Sequence, residues 1–297
     1  MVDGHYYLYR SFFAIRGLSN SRGEPTNAIF GFSKALRKML TDVKPDLGAV
    51  IWDSGLPDRR TTLQPEYKQN RPSMPDEMRP QETWLKKNVP LFGMASLSLP
   101  NTEADDLIAS YARAADQAGI EVIVATNDKD ILQIASPTVR IYSTAKADVG
   151  TNSHVLLGEE EVRVKWGVDP ARSAEVLALT GDTSDNIPGV PGVGAKTAAQ
   201  LVREFGTVDA ILERAAEIKS DKVREKVLAS RELVLANRQM VALDDDLPLP
   251  ASVGSLKIQP EYPALIEAVR DCEFKGLLKE IETEATRTLI PTQGELL

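Results

Sequence analysis

Short apolar runs that stop at an acidic residue recur along the first half of the chain. Leu47 to Trp52 runs into Asp53, Val122 to Ala125 into Thr126-Asn127-Asp128, and the very short Met1-Val2 into Asp3. The first two read as buried parallel strands, because helical pattern rather than a hairpin signal flanks each. Between them Ile29, Phe32, Leu36, Met39 and Leu40 recur at helical spacing, as do Leu107, Ile108, Tyr111 and Ala115, and both sets are core faces. Val139 to Tyr142 is a further strand candidate, followed by a Gly- and Asn-containing stretch around Gly150 to Ser153. From about Val162 the pattern turns wholly helical, with Gly206 stopping a helix over Lys196 to Phe205. One amphipathic segment, Ala264 to Ile281, precedes a polar end whose last dozen or so residues are expected to be loosely ordered. The alternation predicts an α/β domain with a mainly parallel sheet, then an all-α part.

In open α/β sheets ligands sit beyond the carboxyl ends of the strands, which puts the strand-terminal acids on one rim. Nine carboxylates are candidates: Asp3, Asp53, Glu103, Asp105, Asp106, Asp128, Asp130, Asp182 and Asp185. Two carboxylates about 5 Å apart repel by roughly 3 kcal/mol at an effective dielectric near 20, so a crevice holding this set calls for cations. His5, His154 and Cys272 are too far apart in sequence for zinc spacing. Oxygen-only ligation suits Mg²⁺ or Mn²⁺, ions that commonly serve phosphate chemistry.

The length of 297 residues allows one large domain or two closely joined ones, with 42% hydrophobic residues as in an ordinary globular core. The one cysteine excludes an internal disulfide and, with no membrane-length apolar run and no signal-peptide pattern, predicts a cytoplasmic protein away from membranes. A net charge of −8 looks unfavourable for a nucleic-acid binder. Setting aside the nine clustered acids leaves 34 of 43 acidic residues against 35 Lys and Arg, so the rest of the chain is close to neutral.

A stretch from Pro65 to Arg79 interrupts the alternation and holds Tyr67, Lys68, Arg71 and Arg79, with Arg59 and Arg60 just upstream. Positive charge beside an aromatic ring suits single-stranded nucleic acid, although a solvated surface loop would also account for it. Thr102 with Asp105 fits a capping box, yet capping leaves two acids of Glu103-Ala104-Asp105-Asp106 unexplained. Asp128 and Asp130 open a helix over Ile131 to Ala135, where the helix dipole alone could favour them. Gly181-Asp182-Thr183-Ser184-Asp185-Asn186 could be a polar turn. It runs directly into a Gly-rich turn with Gly189, Gly192 and Gly194 before Lys196 and Thr197, an arrangement that leaves backbone N–H groups free to grip phosphate.

The runs V-D-G-H-Y-Y-L-Y-R, Y-K-Q-N-R-P-S-M-P, E-A-D-D-L-I-A, N-D-K-D-I-L-Q and L-T-G-D-T-S-D-N-I-P-G-V-P-G-V-G-A-K-T-A resemble, in order, the 5′ nuclease domain of bacterial DNA polymerase I and its flap endonuclease relatives. The resemblance covers Val2 to about Leu249. It implies a PIN-like twisted, mainly parallel sheet with helices on both faces and a helical arch at about 65–87, all within 1–160. A helical DNA-binding part over 161–260 would carry a helix-hairpin-helix variant at about 175–205, with a C-terminal helix and tail over 261–297. By matching position the nine acids resemble the family's metal ligands: Asp3, Asp53, Glu103, Asp105 and Asp128 nearer the inner site, Asp106, Asp130, Asp182 and Asp185 shared or outer. Lys68 resembles the arch lysine, Arg10 and Arg71 the phosphate-contacting arginines, and Tyr67 a stacking aromatic. The turn from Gly189 to Gly194 resembles the duplex grip, where K⁺ bridges backbone to phosphate. Two departures stand out: only Met1 and Val2 precede Asp3, and Arg59-Arg60 replaces the usual Phe-Arg pair.

The activity implied is a monomeric, structure-specific 5′ nuclease using two or more Mg²⁺ or Mn²⁺ on DNA with a 5′ flap, nick or 5′ end, or on an RNA primer. A non-catalytic junction-binding protein would not need the full acid set, and a PIN-like ribonuclease would not need the duplex-binding hairpin. The chain carries no polymerase motifs, so it is expected to be either a free-standing exonuclease, with any polymerase partner in trans, or the front of a longer polymerase, with that partner in cis.

Overall fold

The computed structural model describes residues 1–144 and 154–289. The expected stretch Gly150 to Ser153 and the end of the tail lie outside them. Two compact units are present, and neither is continuous in sequence: one comprises Met1, Asp53–Ser73 and Ser98–Pro250, the other Val2–Trp52, Met74–Leu97 and the chain from Ala251.

In the second of these units three parallel strands pair in the order β3-β2-β1: β1 is Val2–Asp3, β2 Ala49–Ile51 and β3 Ala95–Leu97. Register is set by Val2 opposite Val50 and Ala49 opposite Ala95. The helix Gly4–Ala14 starts without a linker after β1, because Asp3 caps it by accepting from Tyr6 N at 2.9 Å. Gly4 is required there, since a Cβ would sit 2.4 Å from the Trp52 ring. The helix Asn27–Val43 buries Ile29, Phe32, Leu36 and Met39 as the periodicity predicts, whereas Leu40, expected on the same face, is half-buried. Gln81, on the helix Arg79–Asn88, caps it from across the unit, its Oε1 accepting from Ala28 N at 2.8 Å.

The expected amphipathic segment Ala264 to Ile281 is two helices, Tyr262–Asp271 and Lys275–Leu289. The break is at Glu273, whose backbone takes φ 63° and whose carboxylate accepts from Ser21 N at 3.0 Å. No Gly or Pro marks it, so apolar spacing on either side carried through the corner. These helices return to the start of the chain: Ile258 N donates to Asp46 O at 3.1 Å, Lys34 pairs with Glu280 at 2.9 Å, and Phe30 meets Phe274 edge to face.

In the other unit β4 (Val122–Ala125) and β5 (Val139–Ser143) are parallel, and β6 (Val155–Leu157) runs antiparallel to β5. The fold is therefore mixed α/β with mostly parallel strands, as expected. The helix Ala104–Gln117 buries Leu107, Ile108, Tyr111 and Ala115. Helices Glu159–Trp166, Ser173–Thr180, Ala195–Phe205, Val208–Glu213, Asp221–Ala229 and Arg231–Val241 make up the all-α part. Its core includes Val176, Leu177, Leu201, Val202, Ile211 and Val234, each nearly fully buried. Burying such side chains contributes about 1.5–3 kcal/mol apiece. The helix expected over Ile131 to Ala135 is a 3₁₀ turn, Asp130–Ile134; Pro137 disfavours helical backbone at Ser136, and Ala135 is already extended.

Candidate metal and phosphate site

Three loops of one unit carry acids in fixed poses. Asp53 Oδ1 accepts from Ala104 N at 2.8 Å and so caps the helix Ala104–Gln117 from a distant part of the chain. The capping box expected from Thr102 and Asp105 does not form, because Thr102 donates to Pro100 O at 3.1 Å. Glu103 is thereby free to turn its carboxylate elsewhere. In the second loop Thr126 Oγ1 accepts from Asp128 N at 3.0 Å, and Asp128 Oδ1 from Asp130 N at 2.9 Å. In the third, Asp182 Oδ1 accepts from Ser184 N at 2.9 Å, and Asp182 and Ile187 exchange backbone hydrogen bonds of 2.8 Å that close the turn.

The second and third loops meet. One carboxylate oxygen each from Asp130, Asp182 and Asp185 lie within 4.8 Å of one another, and Asp182 and Asp185 are buried. Burial pushes the Asp130 carboxyl up to about 8, and the charges of Asp128, Asp182 and Asp185 push the same way. Burial also raises Asp128. The Oδ1 atom of Asp130 is buried, and no described residue donates to it. A buried carboxyl oxygen without a donor among the described residues, beside two more carboxyl groups, fits an added hard cation that would displace the proton.

Cations of the chain itself stand beside this group. Lys129 Nζ is 2.7 Å from Asp182, Lys68 pairs with Glu103 and lies 3.5 Å from Asp185, and Arg71 pairs with Asp185. Burial alone would lower the Lys68 ammonium, yet Glu103, Tyr67 and Asp185 together hold it above its ordinary value. Lys68 has a left-handed backbone, φ 56°, and its N–H donates to Asp185 O at 3.1 Å. A non-glycine residue in that region stores about 1 kcal/mol or more of strain, which the surrounding bonds hold in place.

Tyr67 corrects an expectation: its ring is 4% exposed, inside the helical core, and its hydroxyl donates to Glu103 at 3.1 Å and to Asp185 at 3.3 Å. It has no open face for a base in this conformation. Burial raises its phenol, which keeps it a donor.

Arg60 is the site residue the sequence reading missed. It is 3% exposed and pairs with both Glu103 and Asp106. Burial alone would lower it, but Asp106 and Glu103 raise it overall. In the sequence Arg60 stands beside Arg59 at the edge of the basic stretch, and nothing in the spacing distinguishes a buried arginine from a solvated one.

Asp105 and Asp53 are half-buried in the same unit. Asp3 and Arg10 lie in the other unit, where Asp3 is 6% exposed and Arg10 Nη1 donates to Tyr6 at 3.0 Å.

The Gly-rich turn joins the helices Ser173–Thr180 and Ala195–Phe205. A Cβ on Gly189 would fall 2.1 Å from Thr180 O, and one on Gly181 2.4 Å from Ile187 O, so the chain crosses itself too closely for a side chain. Gly192 has φ 74°, whereas a Cβ on Gly194 would meet open space. Gly192, Gly194 and Lys196 are exposed and Thr197 half-buried, at a helix start without a side-chain cap. Asn237 fastens the turn from below, donating to Ala178 O at 3.0 Å and Pro188 O at 2.7 Å.

Residues 1–167 match the family described as 5′-3′ exonuclease, N-terminal resolvase-like domain, and residues 168–264 match 5′-3′ exonuclease, C-terminal SAM fold. DNA polymerase I of Rhizobium leguminosarum is 37% identical over 95% of this chain, which spans 28% of that protein. The 5′-3′ exonuclease of Aquifex aeolicus is 36% identical over 95% of this chain and 94% of its own length. Among solved structures, the flap endonuclease of bacteriophage T5 in a pseudo-enzyme–product complex with DNA and metal ions superposes with a TM-score of 0.66 at 20% identity, covering 96% of this chain and 97% of that one. The acid loops, the glycine turn and the mostly parallel strands thus have a common origin: the chain belongs to the 5′-3′ exonuclease family.

Proposed function

We propose that this chain is a structure-specific 5′ nuclease that hydrolyses a DNA phosphodiester at the junction of a 5′ flap, at a nick or at a 5′ end, and that also removes RNA primers. The observation that carries the reading is the meeting of Asp130 with Asp182 and Asp185, acids from separate loops, beside Lys68 and Arg71.

An oxygen-only donor set with an unsatisfied buried carboxylate oxygen fits Mg²⁺ or Mn²⁺. The acids of this unit assigned to hold such ions are Asp53, Glu103, Asp105 and Asp128 at the inner position, with Asp130, Asp182 and Asp185 at the outer. Bound there, divalent ions supply Lewis-acid stabilisation of charge on the phosphate oxygens and the leaving 3′ oxygen. The chain's own part is electrostatic and positional. Lys68 and Arg71 draw the scissile phosphate in and stabilise the charge that develops on it. Arg10 is assigned to a further phosphate of the substrate. The open N–H groups at Gly192 and Gly194, with Lys196 and Thr197, grip the backbone of the duplex, aided by K⁺. Residues 1–160, with Asp182 and Asp185, would then carry the chemistry and the rest of 161–260 the duplex grip, in a monomer that acts alongside a DNA polymerase of the same polypeptide or in trans.

Cleavage of a 5′-flap DNA, a nicked DNA and a single-stranded RNA, each with and without Mg²⁺, tests this. Mg²⁺-dependent release from the flap and nick, lost in Asp128→Asn with DNA binding retained, is the expected result. Metal-independent turnover, or Asp128→Asn at wild-type rate, would refute it.

A further inference from the structure

Arg60 and Asp106 form a bonded pair that belongs to the frame of the site. Arg60 Nη1 donates to Asp106 Oδ2 at 2.7 Å and Nη2 to Oδ1 at 2.8 Å, the two-pronged geometry that matches a guanidinium to a carboxylate. Its other donors are spent as well: Nε on Met240 O at 2.9 Å, Nη2 on Ala242 O at 3.0 Å, and Nη1 also on Glu103. Asp106 is 1% exposed, and its Oδ1 accepts a further bond, 2.9 Å, from Asp244 N. Of its four lone-pair directions three are therefore taken, all by groups of the protein.

We infer that Asp106 does not ligate a divalent ion and instead locks Arg60, and that Arg60 is a positioning residue which aims the Glu103 carboxylate and ties the acid-bearing helix Ala104–Gln117 to the end of the helix Arg231–Val241 and to Ala242 beyond it. The inference rests on the reading of the remaining acids as a divalent-ion centre. Glu103 stands at the start of that helix with no backbone donor to its side chain among the described residues, so its direction is set by Arg60 on one side and by Lys68 and Tyr67 on the other. The same guanidinium reaches the carbonyls of Met240 and Ala242, so the orientation of Glu103 depends on where the end of the helix Arg231–Val241 lies. A shift of that helix, which closes the helical core, would be passed to the acid site through one side chain.

Mn²⁺ binding by the full chain without DNA, counted by electron paramagnetic resonance, tests it. Asp106→Asn is expected to keep the wild-type number of ions, because Asp106 holds none; its amide oxygen can still accept from Arg60 Nη2 and Asp244 N, but its NH2 faces Nη1 and breaks one prong of the fork, so its affinity should fall by no more than that of Arg60→Lys. Glu103→Gln is expected to lose at least tenfold. The double variant Arg60→Gln/Asp106→Asn leaves net charge unchanged, so a purely electrostatic role predicts wild-type Mn²⁺ affinity. Positioning predicts a loss of about tenfold in that variant and in Arg60→Lys, which keeps the charge and loses the fork. Circular dichroism of each variant separates lost binding from lost folding, and Arg60→Lys gives the answer if the double variant does not fold. Loss of an ion in Asp106→Asn would overturn the assignment of Asp106, and unchanged Mn²⁺ affinity in Arg60→Lys that of Arg60. A wild-type chain that binds no Mn²⁺ would overturn the divalent-ion reading itself, and this inference with it.

Discussion

Lys129 Nζ stands 2.7 Å from the carboxylate of Asp182, joining the loop after β4 to the loop that precedes the glycine turn. The lysine is flanked in sequence by Asp128 and Asp130, so its charge is placed within the acids it offsets. Lys129→Met removes that charge. Mn²⁺ should then bind about three- to tenfold more tightly at low ionic strength, measured by calorimetric titration, because a resident competitor is gone. In EDTA the same variant should lose about 1–2 kcal/mol in urea unfolding, since Asp182 is buried and would lack its partner.

Asp130 predicts a pH dependence in the metal-free chain. Its carboxyl is raised to about 8 by burial and by its acidic neighbours, so the fold favours the neutral form. A raised carboxyl contributes stability fully below its unfolded value near 4, and that contribution is lost as pH climbs to about 8. Asp130→Asn should therefore gain melting temperature relative to wild type between pH 5 and 8, by several degrees, with no further gain above about pH 9. Scanning calorimetry in EDTA reads this; parallel curves for the two proteins would contradict it.

Glu82 acts in the opposite sense. The hydrogen bond from His5 at 3.0 Å, against the cost of burial and with help from Lys86, lowers it to about 2. A depressed carboxyl contributes above its unfolded value near 4.5 and loses that contribution as pH falls toward 2. Glu82→Gln should cost about 1–2 kcal/mol at pH 7, discounted for partial exposure, and nothing at pH 2. Urea midpoints at the two pH values check it.

The glycine turn predicts a contrast between neighbours. A methyl group at Gly189 would meet backbone at 2.1 Å, whereas one at Gly194 meets nothing within 4 Å. Gly189→Ala should destabilise by about 2 kcal/mol or more, and Gly194→Ala by less than about 0.5. Equal urea midpoints for the two variants would show that the crossing relaxes.

Much of this was legible in the sequence because the signals were local. The strand Val122–Ala125 and the faces of the helices Asn27–Val43 and Ala104–Gln117 follow from periodicity, and Gly206 ends the helix Ala195–Phe205 as expected, at φ 91°. The proximity of Asp130, Asp182 and Asp185 followed from the recurrence of acids at loop starts. What was not legible depended on partners far along the chain. Asp53 caps the helix that Thr102 was expected to cap, and Tyr67, a stacking candidate by its basic company, is drawn inward by Glu103 and Asp185. Arg60 and Arg59 look alike as letters, but Arg60 alone reaches Asp106, on the first turn of the helix Ala104–Gln117. The corner at Glu273 is hidden in the same way, because its conformation is set by a bond to Ser21.

One unit contains both Val2–Trp52 and the chain beyond Ala251, joined by backbone bonds from Gly48 to Leu256 and from Ile258 to Asp46. On the ribosome the earlier piece must wait for the later one. At roughly 5–20 residues per second, that is a delay on the order of 10–40 s. Throughout it Phe30, Lys34 and Arg37 on the helix Asn27–Val43 lack their partners Phe274, Glu280 and Glu284. A chain cut near Pro250 never receives those partners, and its early piece would stay incomplete.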